Sequence, residues 1–183
     1  QRNQIVESRF STGASNHVPP APCHSAIAVG VVGLGYWGPQ LVGNLSEVPD
    51  IELAWVCDTR RERLELIRRR YPGVRRTTRV EELLADPSVE AIAISTPVST
   101  HHDLVAAALS AGKHVFVEKP LASSGEEALN LIQLAEEKEP LLMLGHTFLY
   151  SSTVNAIHDP IQSAELVHTD LISSARVNPG LPA

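Results

Sequence analysis

The 183-residue chain has two cysteines, few aromatic residues and no long apolar run. Aromatic residues make up 4% of the chain and hydrophobic residues 43%, which is enough for one sizeable buried core. Cys23 and Cys57 lie in unlike surroundings, so neither a disulfide framework nor a metal-binding pair is indicated. Apolar stretches such as 26–29 and 141–144 are far shorter than a membrane span. We therefore expect a soluble cytoplasmic protein with no metal site and no contact with a membrane.

Positive charge is also scarce. Lys and Arg number 15 against 21 Asp and Glu, which gives a formal net charge of -6 at neutral pH. A nucleic-acid backbone is bound through a broad positive field, and this composition does not supply one. We therefore expect no nucleic-acid partner.

Residues 1–25 differ in composition from the rest of the chain. They contain three prolines and scattered serines and asparagines, and they lack the apolar segment of a secretory signal. Their serines and arginines weakly resemble an organelle transit peptide, but no amphipathic run supports that alternative. We interpret residues 1–25 as a flexible leader.

From residue 26 onward, short apolar runs alternate with segments of helical periodicity. The pattern predicts strands at 27–32, 51–56, 89–95, 114–117 and 141–145. It predicts helices that begin near Gly38, Arg60, Glu81, Thr100 with Asp103 as a capping box, and either Ser123 or Ser124. This alternation is typical of βαβ units. We predict an α/β fold, a doubly wound parallel sheet of the Rossmann type, over residues 26–147.

The turn after the first strand carries the first functional motif. The pattern G-x-G-x-x-G is formed by Gly33, Leu34, Gly35, Tyr36, Trp37 and Gly38. The glycines permit a tight turn and a close approach of the backbone to a pyrophosphate, and the following helix presents free N–H groups. Asp58 follows about 20 residues later at a strand end, where a carboxylate binds ribose hydroxyls. The pair predicts a dinucleotide site; the alternative is a simple turn with Asp58 as a helix cap.

Asp58 also bears on the choice of cofactor. Its negative charge repels the 2′-phosphate of NADP, so the sequence favours NAD. Arg60, Arg61 and Arg63 follow closely and either pair with such a phosphate or form a solvated helix face. NAD is therefore our prediction, and NADP is the less favoured alternative.

Further motifs complete a resemblance to a known family. They are the strand end Val56-Cys57-Asp58, Thr96-Pro97 with His101, and Glu118-Lys119-Pro120. With the glycine turn, they make residues 27 to about 180 resemble the Gfo/Idh/MocA family of oxidoreductases. Segments 145–148 and 176–180 are similar more particularly to members such as UDP-N-acetylglucosamine 3-dehydrogenases, which act on nucleotide-linked amino sugars.

The resemblance implies an NAD(P)-dependent enzyme that moves hydride from a hydroxyl-bearing carbon of a sugar or nucleotide sugar to nicotinamide. It implies that Lys119 is the catalytic residue, which assists proton transfer and also touches the cofactor. It implies further cofactor contacts from Thr96, Pro97, His101 and Glu118. From the residues alone, a lysine that merely reaches solvent and a histidine that merely begins a helix remain alternatives.

The same resemblance extends to the C-terminal part of the chain. It implies that His146, Arg176 and Asn178 contact the substrate. We interpret residues 148–183 as the truncated beginning of a second, α+β, substrate-binding domain, with a strand at 166–177, and expect the full-length protein to be a homo-oligomer. Two other functions remain open: a non-catalytic dinucleotide-binding module, and an inositol or free-sugar dehydrogenase of the same family.

Overall fold

The computed structural model describes residues 26–162. The strands in this range are β1 (Ile27–Val32), β2 (Ile51–Cys57), β3 (Arg75–Thr77), β4 (Ala91–Ile94), β5 (His114–Val117) and β6 (Leu142–Leu144). The helices are α1 (Gly38–Glu47), α2 (Arg61–Arg70), α3 (Val80–Leu84), α4 (His101–Ser110), α5 (Gly125–Lys138) and α6 (Ser152–Gln162). Two 3₁₀ turns, Val98–Thr100 and Thr147–Tyr150, follow β4 and β6.

All six strands of this sheet run parallel in the order β3-β2-β1-β4-β5-β6. This order confirms the doubly wound Rossmann fold. After β1 the chain adds β2 and β3 on one side of this strand and then crosses to form β4 on its other side. A crevice therefore opens at the carboxyl ends of β1 and β4. Val32 lies level with Cys57 on one side and with Ile94 on the other. The residues that follow these three positions therefore meet at one edge of the sheet.

The central strand β1 separates two hydrophobic clusters. Val31 packs with Val56 on one face, whereas Val32 packs with Ile94 and Val117 on the other. Residues 28–32 are all buried, as expected for a parallel strand covered by helices on both sides. Helices α1 and α2 contribute to the first cluster and α4 and α5 to the second. The packed sheet gives the loops at its carboxyl edge a fixed base.

The helix starts test the predicted caps. Ser124 caps α5, because its hydroxyl accepts a hydrogen bond from the Glu127 N–H at 3.2 Å. The predicted capping box of Thr100 and Asp103 is wrong. The Thr100 hydroxyl donates instead to the carbonyl of Pro97 at 2.8 Å, because a 3₁₀ turn directly precedes α4 and turns this side chain backwards.

Strand β3 was not predicted, because it is short and begins with two arginines. The leader 1–25, the strand at 166–177, Arg176 and Asn178 lie outside the described residues. The predicted domain boundary near residue 147 stays a prediction. Within residues 26–162, no helix is long and apolar enough to cross a membrane.

Candidate functional site

The glycine turn connects β1 to α1 and requires glycine at two positions. Gly33 has a φ of +93°, which residues with a side chain rarely adopt. A Cβ on Gly38 would lie 2.1 Å from the carbonyl oxygen of Gly33. That oxygen also accepts a hydrogen bond from Ser95 Oγ at 2.7 Å, which joins the turn to the end of β4. The turn therefore packs too closely for any residue but glycine at position 38.

Gly35 and the start of α1 supply the open side of this turn. A Cβ on Gly35 would meet one atom within 4 Å, Arg63 Nη1 at 3.6 Å, so the glycine keeps the surface above it clear. In this part of the chain no side chain caps α1, and Pro39 lies in its first turn. Pro39 has no N–H, and the Gln40 N–H donates to the Trp37 carbonyl oxygen at 3.0 Å, so the first turn of α1 acts on the open side chiefly through the helix dipole. An anionic phosphate group fits there, because the positive end of the helix dipole favours negative charge.

Asp58 stands beside the glycine turn and is only 7% exposed. Its Oδ2 accepts the Leu34 N–H at 2.7 Å, and its Oδ1 accepts the Arg60 N–H at 2.8 Å. Arg63 Nη1 lies 3.4 Å from Oδ2. The Leu34 side chain is buried in the core, so this residue serves the site through its backbone. A carboxylate oxygen can accept two hydrogen bonds, so Oδ1 keeps room for a hydroxyl donor.

These residues line one cleft of about 940 Å³. The structure brings together in its lining most of the predicted cofactor residues, namely Gly33, Gly35, Tyr36, Trp37, Asp58, Thr96 and Pro97. Gly38 lies buried beneath the turn. Tyr36 and Trp37 are 65% and 51% exposed and pack edge to face with ring centroids 5.3 Å apart. A cleft of this size and mixed polarity suits a dinucleotide.

The second wall of the cleft follows β4. Thr96 is half-buried, and its hydroxyl oxygen lies 2.8 Å from Thr100 Oγ1, which can accept its proton. Pro97 is exposed on the same turn. His101 begins α4 directly behind this wall and is 1% exposed. Its Nε2 lies 2.9 Å from the Thr96 carbonyl oxygen and its Nδ1 lies 2.8 Å from that of Pro120.

The ends of β5 and β6 carry the remaining described site residues. Glu118 is half-buried and Lys119 is exposed, and the Lys119–Pro120 peptide bond is cis. The Gly145 N–H donates to the Val117 carbonyl at 2.8 Å and carries the pairing of β5 and β6 past the last strand residue. His146 follows and is exposed. These residues thus lie along the same carboxyl edge as the cleft, beyond its Thr96 wall.

Cys57 also lines the cleft but is not a reactive group. Burial, followed by the negative charge of Asp58, raises the pKa of its thiol to about 11. The thiol therefore stays protonated at neutral pH, which removes its nucleophilic form. In the stretch 26–162, no cluster of three or more His, Cys, Asp or Glu side chains is placed to hold a metal ion.

Sequence reasoning missed several cleft residues. Ser95 joins the glycine turn to β4, while Thr78 and Arg79 line the cleft from the loop after β3. Ser95 was signalled by its place at the end of the predicted strand 89–95, directly before Thr96. Thr78 and Arg79 gave no such signal, because β3 itself was not recognised.

A family model described as an oxidoreductase family with an NAD-binding Rossmann fold, Gfo/Idh/MocA, matches residues 27–146. Among curated proteins, the chain is 30% identical over 160 residues to the NADP(+)-dependent scyllo-inositol 2-dehydrogenase IolW of Bacillus subtilis, covering 86% of the chain and 44% of that protein. It is 35% identical over 116 residues to an NAD(+)-dependent scyllo-inositol 2-dehydrogenase of the same organism, covering 63% and 34%. The chain thus spans less than half the length of these relatives.

A solved structure of an enzyme in complex with NADP has a similar fold. The chain is similar to KijD10, a 3-ketoreductase from Actinomadura kijaniata in complex with NADP and TDP-benzene, with a TM-score of 0.70 and 28% sequence identity. The match covers 76% of this chain and 43% of that one. The relatives thus include proteins named for NAD(+) and proteins named for NADP(+).

Proposed function

The chain belongs to the Gfo/Idh/MocA oxidoreductase family, and on that premise we propose that its protein is a nicotinamide-dependent dehydrogenase or reductase of a sugar or nucleotide sugar. One observation carries the proposal: the glycine turn that leads into α1 and Asp58 line one cleft of about 940 Å³. Phosphate groups at the helix start and a ribose at the carboxylate match the two ends of an adenosine diphosphate.

NAD is the proposed cofactor. Asp58 holds its carboxylate at the cleft with one lone pair of Oδ1 unused, which suits a ribose hydroxyl. A 2′-phosphate placed there would meet the same negative charge. Arg60, Arg63 and Arg79 also line the cleft and favour NADP, and Arg63 already pairs with Asp58. We therefore place NAD first and NADP second.

Lys119 is the proposed catalytic residue. It follows β5 at the carboxyl edge of the sheet, next to the strand whose end lines the cleft. In its neutral form the amine accepts the proton of the substrate hydroxyl as the C–H bond breaks and a carbonyl forms. A nicotinamide cofactor held by the glycine turn and Asp58 would supply the hydride acceptor. In the reverse direction the ammonium returns the proton to the alkoxide oxygen. His146, at the end of β6, is the proposed substrate contact in the described part.

The substrate class rests on two lines of support. The resemblance of 145–148 and 176–180 favours a nucleotide-linked sugar, and a structural relative was solved with NADP and TDP-benzene. The curated relatives named for scyllo-inositol favour a cyclic polyol, which is our second candidate. We propose a cytoplasmic homo-oligomer in either case.

A spectrophotometric assay tests the proposal. Nucleotide sugars, free sugars and inositols are offered with NAD and with NADP to the 183-residue chain and to the longest natural form of the protein, and absorbance of reduced nicotinamide is followed. We expect reduction of NAD with a nucleotide sugar. Reduction with inositols alone would select the second candidate. Binding of NAD without turnover by either form would support a non-catalytic module, and no binding at millimolar NAD would overturn the proposal.

A further inference from the structure

His101 lies between two turns that belong to different strands. Its Nε2 lies 2.9 Å from the carbonyl oxygen of Thr96, which lines the cofactor cleft after β4. Its Nδ1 lies 2.8 Å from the carbonyl oxygen of Pro120, directly after Lys119. The side chain is 1% exposed, so both contacts are shielded from water. One imidazole ring thus spans the space between the cleft wall and the turn that carries the proposed catalytic lysine.

Both partners of this ring are hydrogen-bond acceptors. A neutral imidazole has one N–H and donates to one of the two carbonyl oxygens, while an imidazolium donates to both. In either form, both nitrogens of His101 face backbone oxygens and the ring is buried. The ring therefore has no free nitrogen to offer to a cofactor, and an indirect role fits the geometry better than the direct contact expected from the sequence.

The hydrogen-bonded pairing of β4 with β5 ends just before Thr96 and Pro120, the two residues that His101 contacts. The last pair in register is Ile94 with Val117, and the Glu118 N–H then donates to the Ile94 carbonyl at 2.9 Å. Beyond this point the two chains turn away into separate loops. The ring of His101 connects Thr96 with Pro120 beyond the end of the ladder.

We propose that His101 is a positioning residue, which holds the Lys119 turn against the cofactor wall at Thr96. Its catalytic consequence rests on the proposed function: Lys119 keeps a fixed distance from a dinucleotide that touches Thr96. A small displacement of a proton-transfer group is enough to slow catalysis strongly. The contact to Pro120 thus serves Lys119, and the contact to Thr96 serves the cofactor wall.

Two amide substitutions separate the two contacts. An asparagine amide nitrogen is as many bonds from Cβ as Nδ1, so His101→Asn keeps a donor toward Pro120 and loses the contact to Thr96. A glutamine amide nitrogen is as many bonds from Cβ as Nε2, so His101→Gln keeps a donor toward Thr96 and loses the contact to Pro120. The neighbouring half-buried histidine, whose ring contacts the side chains of Asp103 and Asn130, provides the control pair, His102→Asn and His102→Gln.

Amide chemical shifts of the 183-residue chain give a readout that needs no turnover. We expect His101→Gln to shift the amide signals of the turn around Pro120, those of Lys119 and Leu121, and to leave those of Thr96 and Val98 nearly unchanged, and His101→Asn to do the reverse. The His102 variants should shift neither group. Equal perturbation of both turns by both His101 variants, or of neither turn, would overturn the proposal.

Steady-state kinetics of the longest natural form then separate effects on kcat from effects on the KM for NAD. We expect His101→Gln to lower kcat about tenfold with the KM for NAD within about twofold, and His101→Asn to raise the KM for NAD about fivefold with kcat nearly unchanged. Parallel loss of both constants in both variants would indicate a merely structural role and would contradict the proposal. If the unsubstituted protein oxidises nothing while the amide pattern holds, the proposed function fails and the positioning role stands.

One further test uses the unsubstituted chain and does not depend on whether the variants fold. In the unsubstituted chain, a buried ring that donates to a carbonyl oxygen should show a slowly exchanging imidazole N–H proton at His101. His102, whose side chain is 32% exposed, should exchange faster than His101. Rapid exchange at His101 would overturn the proposal even if neither variant can be purified.

Discussion

Polar side chains meet at two regions of this molecule, the loop before β4 and the carboxyl edge of the sheet, and the two regions use them differently. In the loop, Asp86 accepts hydrogen bonds from Trp55 Nε1 at 2.8 Å and Arg75 Nη1 at 2.6 Å, and from both the backbone and hydroxyl of Ser88. The buried Lys113 Nζ donates to the Asp86 and Val89 carbonyls at 2.8 and 2.7 Å. The Asp86 carboxylate and the Lys113 ammonium are thus bonded to groups of the protein itself.

The carboxyl edge leaves its groups accessible. The start of α1 has no side-chain cap in this part of the chain, Asp58 retains acceptor capacity, and Tyr36, Trp37 and Lys119 are exposed. Within the described range, no buried side-chain nitrogen or oxygen lacks a partner. The site is therefore distinguished by polar groups at strand ends that can still bind a ligand. In the loop before β4, the polar groups bond to one another. The first arrangement suits ligand binding and the second suits stability.

The largest expected effect falls on the carboxyl edge. Lys119→Ala should lower kcat by at least about 100-fold, because proton transfer by a positioned side chain contributes a factor of this size. Affinity for NAD should change little, since Lys119 lies outside the adenosine end of the cleft. The measurement is turnover in parallel with calorimetric NAD binding. Lys138→Ala, on the exposed last turn of α5, is the control. Undiminished turnover would remove Lys119 from the mechanism.

The glycine turn should be nearly as sensitive. Gly38→Ala places a Cβ 2.1 Å from the Gly33 carbonyl oxygen, so the turn must move. We expect NAD binding to weaken by more than about tenfold, together with a lower Tm. Gly43→Ala on the same helix is the matched control, because its Cβ would meet Tyr71 Oη at an ordinary 3.7 Å. This control should gain about 0.5–1 kcal/mol in stability from the better helix propensity of alanine. Equal NAD affinity in both variants would contradict the assigned phosphate site.

Asp58→Asn should change cofactor preference. Removing the negative charge weakens the ribose contact and also removes the repulsion of a 2′-phosphate. We expect the Kd for NAD to rise about tenfold, or about 1.4 kcal/mol, and the preference for NAD over NADP to fall. Calorimetric titration with both dinucleotides measures this. Asp50→Asn, at an exposed position before β2, should leave both constants unchanged. An unaltered ratio in Asp58→Asn would refute the role of this carboxylate.

The smallest functional effect is expected at the loop before β4. Hydrogen bonds from Ser88 and Trp55, with the charge of Arg75, hold the pKa of Asp86 well below its usual range. A carboxylate whose pKa is lower in the folded than in the unfolded state stabilises the folded protein at any pH above its unfolded-state pKa. This stabilisation is lost as the pH falls through its folded-state pKa. Asp86→Asn should therefore lower the Tm by a few degrees at neutral pH and leave NAD affinity unchanged.

The pH dependence sharpens this prediction. The difference in Tm between wild type and Asp86→Asn should be constant above about pH 5 and should shrink as the pH falls below the ordinary aspartate range. Thermal unfolding followed by circular dichroism measures it, and Asp50→Asn should show no such trend. A difference independent of pH down to strong acid would show that lost packing, and not charge, destabilises the variant. A large loss of NAD affinity would break the distinction between the two regions.

Much of the fold could be predicted, because it follows from local patterns. Strand β1 was predicted with its observed bounds, and α5 begins with one of the two predicted serine caps and ends before Pro140. β3 could not be predicted, since three polar residues carry no hydrophobic period and form a strand only by pairing with β2. The capping role of Thr100 failed for a related reason, because an unforeseen 3₁₀ turn redirected its hydroxyl.

The candidate site divides in the same way. The glycine turn and Asp58 are motif residues whose spacing along one βαβ unit implies their contact, and the structure brings them together through the Leu34 N–H. The roles of Lys119, His146 and the other site residues stay predictions, and Arg176 and Asn178 lie outside the described part. The contacts of His101 depend on two turns far apart in the chain, so no local pattern could indicate them.

By itself, the sequence determined the strand and helix alternation, the glycine turn and the family, because periodicity and short motifs depend on neighbours along the chain. Tertiary structure alone decided which polar groups bond to other groups of the protein and which remain available to a ligand. Asp58 and Asp86 are the same residue type, yet one borders an open cleft and the other is enclosed by donors. That difference arises from which loops the parallel sheet brings side by side, and a linear pattern does not contain it.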